Sequence, residues 1–268
     1  MYFKYDLKIG FCKDWYKFFV LIGVVLISCI VLYFYDNANA LKLGSFDYLA
    51  YLTKAEKPYH PELNERFRFP FTWFILHLYL AWLIGKYPFS ELYDNHGASV
   101  LILGGSRCKW YGSKLLWACI TVLTYYLIII VTVLMFCTIC QIPITWTLSE
   151  IHDPQILTCA KQTPLKTLLP VFLLPIFTSI TVSVLQIFLS ALTSSMIGFF
   201  LIAVLFVAST YETTVFLIPN CSQLSKFAVF SGEGIGITES YLVLGIVLIG
   251  SMAAGFLYFQ RHDILKKQ

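Results

Sequence analysis

Lys86–Lys114 reads KYPFSELYDNHGASVLILGGSRCKWYGSK. It is a polar segment held between two long apolar runs, and it sets how the rest of the chain divides. Downstream, Leu115–Cys140 runs for 26 residues without a charged side chain. At about 1.5 Å per residue, such a helix exceeds a hydrocarbon core of about 30 Å and must tilt or project from it. Upstream, Phe71–Tyr87 is a second apolar run, with Trp73, Trp82 and Tyr87 placed to sit near membrane interfaces.

The whole composition agrees with these two runs. Of 268 residues, 58% are hydrophobic and 13% charged, against about 25% charged in an ordinary soluble domain. A soluble fold cannot hide that much apolar surface. The net charge is only +4 and its basic residues are spread along the chain, which argues against a nucleic-acid partner.

In chain order, residues 1–17, MYFKYDLKIGFCKDWYK, place Phe3, Leu7, Phe11 and Trp15 on one helical face, with Lys4, Lys8, Lys13 and Lys17 around it. This predicts an amphipathic helix lying in the interface, its lysines reaching for lipid headgroups. Gly10 weakens that helix slightly. Residues 18–35 form the first uncharged run. At 18 residues it is longer than the roughly 7–15 of a signal-peptide core, so it reads as span 1 despite the cleavage-like Ala38-Asn39-Ala40. Residues 36–70 form a polar loop in which Ser45–Leu52 reads as a short surface helix. Five more spans are expected over 71–87, 115–140, 168–192, 196–218 and 241–259. Pro175 predicts a kink in span 4. Thr193-Ser194-Ser195 predicts a tight turn that makes spans 4 and 5 antiparallel neighbours. Gln223–Phe230 reads as a short helix dipping into the outer leaflet. Basic residues are about twice as dense over the loops that share a side with both termini, which places those loops in the cytoplasm. The expected fold is therefore an all-α, multi-pass protein of the cell membrane with six spans and one domain over 1–268.

Two ionisable side chains fall within these spans. His77 is a functional candidate by its position, or an imidazole hydrogen-bonded between helices. Glu212 either lies near the outer interface or lines a polar conduit. Gly250, Ser251, Ala254 and Gly255 give span 6 a small-residue spacing suited to close helix packing.

No soluble-enzyme constellation is present. Gly104–Lys114 fails the phosphate-loop pattern, because it ends Gly-Ser-Lys and leads into a span. The histidines at 60, 77, 96, 152 and 262 make no metal pair. Cys137-x-x-Cys140 has no second pair, so its thiols read as small hydrophobes. Cys159 and Cys221 fall in outer loops, where a disulfide and two free thiols are both open. The chain is expected to hold no metal, cofactor or catalytic residue of its own.

Within the central loop, Pro88 can start a short helix whose apolar edge is Phe89, Leu92 and Tyr93, beside Glu91 and Asp94. Ser106 can cap a basic helix carrying Arg107, Lys109 and Lys114 into span 3. Aromatic and arginine side chains held this way suit docking on a cytoplasmic protein. An ordinary basic connector is the plainer reading.

Val100-Leu101, Ser106-Arg107, Trp110 and Lys114-Leu115-Leu116 form a pattern that resembles the segment before the third span of ABC-2-type exporter permeases. More narrowly, FRFPFTWFILHLYLAWLIGKYPFSELY with GGSRCKWYGSKLLW is similar to small permease subunits of Gram-positive bacterial transporters, some of which handle antimicrobial peptides. The likeness covers roughly residues 67–126, with the remainder alike in layout. Leu103-Gly104-Gly105 departs from the basic or Thr/Pro-containing turn of many relatives. The resemblance implies a permease subunit moving a peptide, lipid or other amphipathic substrate. A separate ATPase subunit, using ATP and Mg, would dock on the 88–114 coupling loop and the N-terminal helix. Phe89, Glu91, Leu92, Tyr93, Arg107 and Trp110 are the expected contacts. Six spans also imply a second permease subunit, identical or different. The alternative is a non-transporting immunity or sensor protein that binds a peptide at its outer loops. A membrane enzyme using His77 and Glu212 is a third class.

Overall fold

The fold is a computed structural model that describes residues 2–12, 15–54, 67–93, 106–149, 169–231 and 234–261. Among these residues every regular element is helical, apart from one isolated bridge between Phe227 and Ile235. Four helices are long and apolar enough to cross a membrane: Lys17–Asn39, Arg107–Ile139, Leu169–Leu192 and Ile237–Arg261. Two shorter apolar helices, Phe71–Gly85 and Ser195–Tyr211, run beside them. The chain is an all-helical membrane protein.

The elements are α1 (Tyr2–Cys12), α2 (Lys17–Asn39), α3 (Ser45–Thr53), α4 (Phe71–Tyr93) and α5 (Arg107–Ile139), then a π-helical turn (Leu169–Leu173) leading into α6 (Leu174–Leu192). α7 (Ser195–Tyr211) follows, then two 3₁₀ turns (Ile218–Ser222 and Leu224–Lys226), α8 (Ala228–Ser231) and α9 (Ile237–Arg261). Their boundaries have local causes. Ser106 caps α5 as its sequence predicts, its hydroxyl accepting the Lys109 N–H at 3.4 Å, and the basic turn runs straight into the span. The tight turn at 193–194 also forms, with the Ser194 hydroxyl accepting from Ile197 N. α2 stops where Ala40 turns left-handed (φ 53°) and the Asp36 carboxylate takes up the Leu43 N–H at 3.4 Å.

α6 lies at the centre. Of its most apolar stretch 61% is buried, against 22% for α2 and for α9, which lie at the periphery. One core gathers α2, α4, α5, α6 and α9 around Leu21, Val25, Leu80, Trp110, Val122 and Phe259. The other gathers α3, α6, α7 and residues 218–235 around Phe46, Leu174, Phe206 and Phe227. The bundle thus has a near end, where α1 meets Tyr87 and Lys114, and a far end, where α3, residues 143–149 and residues 218–235 gather.

Several expectations are corrected. Ser45–Thr53 is a helix, but it is not at the surface: Phe46, Tyr48, Ala50 and Leu52 are buried. Asp47 explains why. Its carboxylate accepts Gly44 N and Ser149 N, each at 2.9 Å, and the Ser149 hydroxyl at 2.6 Å. It thereby straps α3 to the 143–149 segment, while Ser45 exchanges hydrogen bonds with Thr145. Desolvation, which outweighs these hydrogen bonds, raises the Asp47 pKa above the usual carboxylate value.

Pro88 does not start a separate helix. α4 carries on from the span through Pro88 to Tyr93. A membrane helix tolerates the missing N–H when neighbouring helices support it. The expected kink in span 4 takes the form of the π-helical turn just before Pro175, which sits in the first turn of α6. Having no N–H, Pro175 leaves no orphaned donor at that change of winding. Gln223–Phe230 is two short turns rather than one helix. In α9, Ser251 and Gly255 are buried, whereas a Cβ on Gly250 would meet nothing. Cys221 is a buried free thiol, held above the ordinary thiol pKa at about 11 by desolvation. Cys159 lies outside the described residues.

Candidate functional site: the near-end junction

The segment 94–105 is flanked by α4 and α5, and α1 joins the two. The joint is Asp6. It is 2% exposed and accepts from three side chains: Lys114 Nζ at 2.6 Å, Tyr87 Oη at 3.1 Å and the Ser113 hydroxyl. Lys114 is 1% exposed. Its ammonium lies 4.4 Å from the centre of the Tyr87 ring and 5.4 Å from that of Trp110. A carboxylate from α1 is therefore clamped by one side chain of α4 and two of α5. A buried ion pair of this kind holds its partners in one arrangement, because removing either partner strands the other charge.

Local sequence accounts for the clamp. On α1, Asp6 lies one turn from Gly10, and a Cβ on Gly10 would run into the Trp117 indole. The residue that weakens α1 as a helix is the one that lets it lie on α5. On α5, Trp110, Lys114 and Trp117 recur at helical spacing on one buried face. The Trp117 ring lies 4.6 Å from that of Tyr87, and Trp110 and Tyr111 pack on Phe259 of α9. The start of α5 is thus bound to α1, α4 and α9 together.

The expected contact residues separate. Arg107 is half-buried at the mouth of the junction. Trp110 is 1% exposed, so it supports the junction from inside and is not a docking knob. Phe89, Glu91, Leu92 and Tyr93 form the last turns of α4, and their side chains lie outside what the structure describes. So do Asp94 and Val100–Gly105. The resemblance motif itself falls on the junction through Arg107, Trp110 and Lys114.

His77 sits in the far half of the bundle, 5% exposed. Its Nδ1 lies 2.8 Å from Trp73 O and its Nε2 lies 3.3 Å from Tyr126 Oη. Tyr126 in turn bonds Ser179 Oγ at 2.8 Å and donates to Pro175 O at 3.0 Å. Both ring nitrogens have partners, the interhelical arrangement of the two its sequence left open. His77, Tyr126, Tyr125 and Thr53 bring the polar groups to a small, mostly apolar cavity of about 30 Å³ beneath Leu49 and Leu52 of α3. Glu212 is not inside a helix. α7 ends at Tyr211, and Glu212 is its exposed C-cap.

Among the buried charges, Asp6 and Lys226 escaped the sequence reading. Asp6 carried a signal as an acid within a basic amphipathic helix whose other acid is Asp14. Lys226, 2% exposed, carried none. Its ammonium donates to Ser209 O, to Glu212 O at 3.1 Å and to Asn220 Oδ1 at 3.0 Å. A cation there closes the carbonyl end of α7. Burial pulls its pKa down to about 8, opposed by the nearby Glu212 charge. Among the described residues no cluster of His, Cys, Asp and Glu is arranged to hold a metal ion.

In comparison with known proteins, residues 21–265 match the family model described as "Protein of unknown function (DUF2705)". No curated protein and no solved structure matches the chain.

Proposed function

The chain belongs to the DUF2705 family, and we propose that it works as the membrane-embedded permease subunit of an ATP-binding-cassette transporter of ABC-2 type. A separate ATPase would drive it, and its cargo would be a peptide, lipid or other amphipathic molecule. The observation that carries this reading is the Asp6 clamp. A subunit pushed from one side needs its interfacial helix and both flanks of the pushed segment to move as one body. Asp6, Tyr87, Ser113 and Lys114 provide that connection. The continuous α4 supports the same reading, since the turns bearing Glu91 and Tyr93 extend the span itself.

In this mechanism the near end faces the cytoplasm, and the ATPase engages α1, the end of α4 and the first turn of α5. Arg107 offers a charged contact at that mouth. ATP-driven closure of the motor pair shifts α4 and α5 together through the clamp, and two permease subunits alternate access to the path between them. ATP and Mg stay on the motor.

Purification of the tagged chain from native membranes under mild detergent tests the proposal. A nucleotide-hydrolysing subunit with a phosphate-binding loop is expected to come with it. The Glu91→Ala/Tyr93→Ala variant is expected to insert normally and lose that partner. A wild-type chain that purifies without any ATPase overturns the reading and favours the immunity or sensor alternative.

A further inference from the structure

α6 carries six polar side chains between Leu174 and Leu192: Thr178, Ser179, Thr181, Ser183, Gln186 and Ser190. All six are at most 5% exposed. Four of them, Ser179, Ser183, Gln186 and Ser190, fall within an arc of about 60° and run some 16 Å along the helix, about half a hydrocarbon core. This stripe faces α4, α5 and α7. At its far end Ser179 meets Tyr126, and Tyr126 meets His77.

Interhelical hydrogen bonding does not use the stripe up. Ser183 donates to Ser179 O of its own helix at 2.6 Å. Gln186 Nε2 donates to Ala81 O of α4 at 2.8 Å, but Gln186 Oε1 and Ser190 Oγ have no partner among the described residues. An unmatched polar atom at membrane depth costs several kcal/mol. Two such atoms on one stripe therefore call for a partner. The facing walls are glycines. A Cβ on Gly85 of α4 would strike Gln186 Nε2, and one on Gly198 of α7 would strike Ser190 Oγ. The walls are shut down on the stripe. Gln186 holds α4 on the stripe through Ala81 O, and the Ser195 hydroxyl ties the α7 wall to the α4 wall at Gly85 O; both bonds are neutral. No charged side chain is on the stripe.

We propose that the Ser179–Ser190 face of α6 is a polar groove, closed in this structure, which takes uncharged hydrogen-bonding groups when α4 and α7 part from α6. Its ligands are the amide and hydroxyl groups of an amphipathic cargo, entering with water. Gln186 Oε1 accepts from them, and Ser190 Oγ both donates and accepts. The cargo assignment rests on the permease reading above; the groove itself does not. Lacking charge, it selects against phosphate headgroups and free ions, which would be stranded there.

Single variants Ser183→Cys and Ser190→Cys test the groove in native membranes. The probe is a membrane-impermeant trimethylammonium methanethiosulfonate, with modification read at the substituted site by mass spectrometry. Val204→Cys on α7 and Ile246→Cys on α9, whose positions are 64% and 71% exposed on the bundle's outside, give the lipid-facing baseline. Both groove cysteines are expected to react on the order of tenfold faster than that baseline, because a charged probe needs water to reach them. Gln186→Leu in the Ser190→Cys background is expected to slow the reaction severalfold by removing the polar wall. Groove cysteines as inert as Val204→Cys, in a chain present at normal level in the membrane, overturn the groove. Reactive groove cysteines in a chain that purifies without an ATPase keep the groove and remove the cargo assignment.

Discussion

Lys114 Nζ lies 2.6 Å from Asp6 Oδ1, and 108 residues of chain separate them. The pair joins the first helix to the start of α5, with neither charge open to solvent. Asp6→Asn or Lys114→Met alone is expected to cost about 3–5 kcal/mol, because each strands the other charge. The double variant is expected to recover much of that loss. Thermal unfolding of the detergent-solubilised chain through the full double-mutant cycle measures the coupling, and strictly additive losses would refute the clamp.

α9 makes a contrasting pair of glycines. A Cβ on Gly255 would collide with the Tyr111 hydroxyl, while one on Gly250 would meet nothing. Gly255→Ala is expected to destabilise the chain by about 1–3 kcal/mol. Tyr111→Phe in the same chain is expected to restore only part of it, since the added Cβ also presses on the Tyr111 ring carbons Cζ and Cε1, which Phe keeps. Gly250→Ala should be neutral, or stabilising by up to about 1 kcal/mol through helix propensity. Melting temperatures of the four proteins decide the matter.

Lys226 sets a pH dependence whose sign is fixed by its environment. Its folded-state pKa is lowered to about 8 from 10.5, so between those values the unfolded chain binds more protons than the folded one. Stability therefore rises with pH across that window. Relative to Lys226→Met, the wild-type chain is expected to gain melting temperature from pH 8 to pH 10. A difference that stays flat over that range would show that Lys226 does not titrate there.

Asp47 works in the opposite sense. Its pKa is raised by desolvation, so just above the ordinary carboxylate value the folded state holds the extra proton. The stability Asp47 contributes is greatest below that value and falls as pH rises through the folded pKa. Asp47→Asn is expected to remove this acid-side gain while keeping one acceptor for the strap to Ser149. Thermal scans from pH 3 to pH 7 on both proteins are the measurement.

Much of the architecture was readable because it is local. The Ser106 cap and the turn before Ser195 depend on neighbours within a few residues, and both appear where expected, whereas the apolar run expected to reach 218 ends as a helix at Tyr211. What was hidden is long-range. Nothing near Ser45–Thr53 announces that Asp47 will bond Ser149, so its apolar residues read as a surface face when they are core. Trp110 looked like an exposed anchor because its neighbours are Arg107 and Lys109. Phe259, which covers it, is far along the chain. The α6 stripe was visible as serines and a glutamine at positions 179, 183, 186 and 190, but its meaning depends on Gly85 and Gly198 lying opposite.

The unbroken passage of α4 through Pro88 has a mechanical consequence. Its 23 residues make a stiff rod of roughly 34 Å. Gln186 grips that rod at Ala81, close to its midpoint. The grip acts as a fulcrum. Pressing on the turn that ends at Tyr93 would swing the opposite tip, at Phe71, the other way by a similar distance. The Gln186–Ala81 bond would then let α4 tilt without detaching, so that its Gly85 wall lifts off the α6 stripe about that pivot.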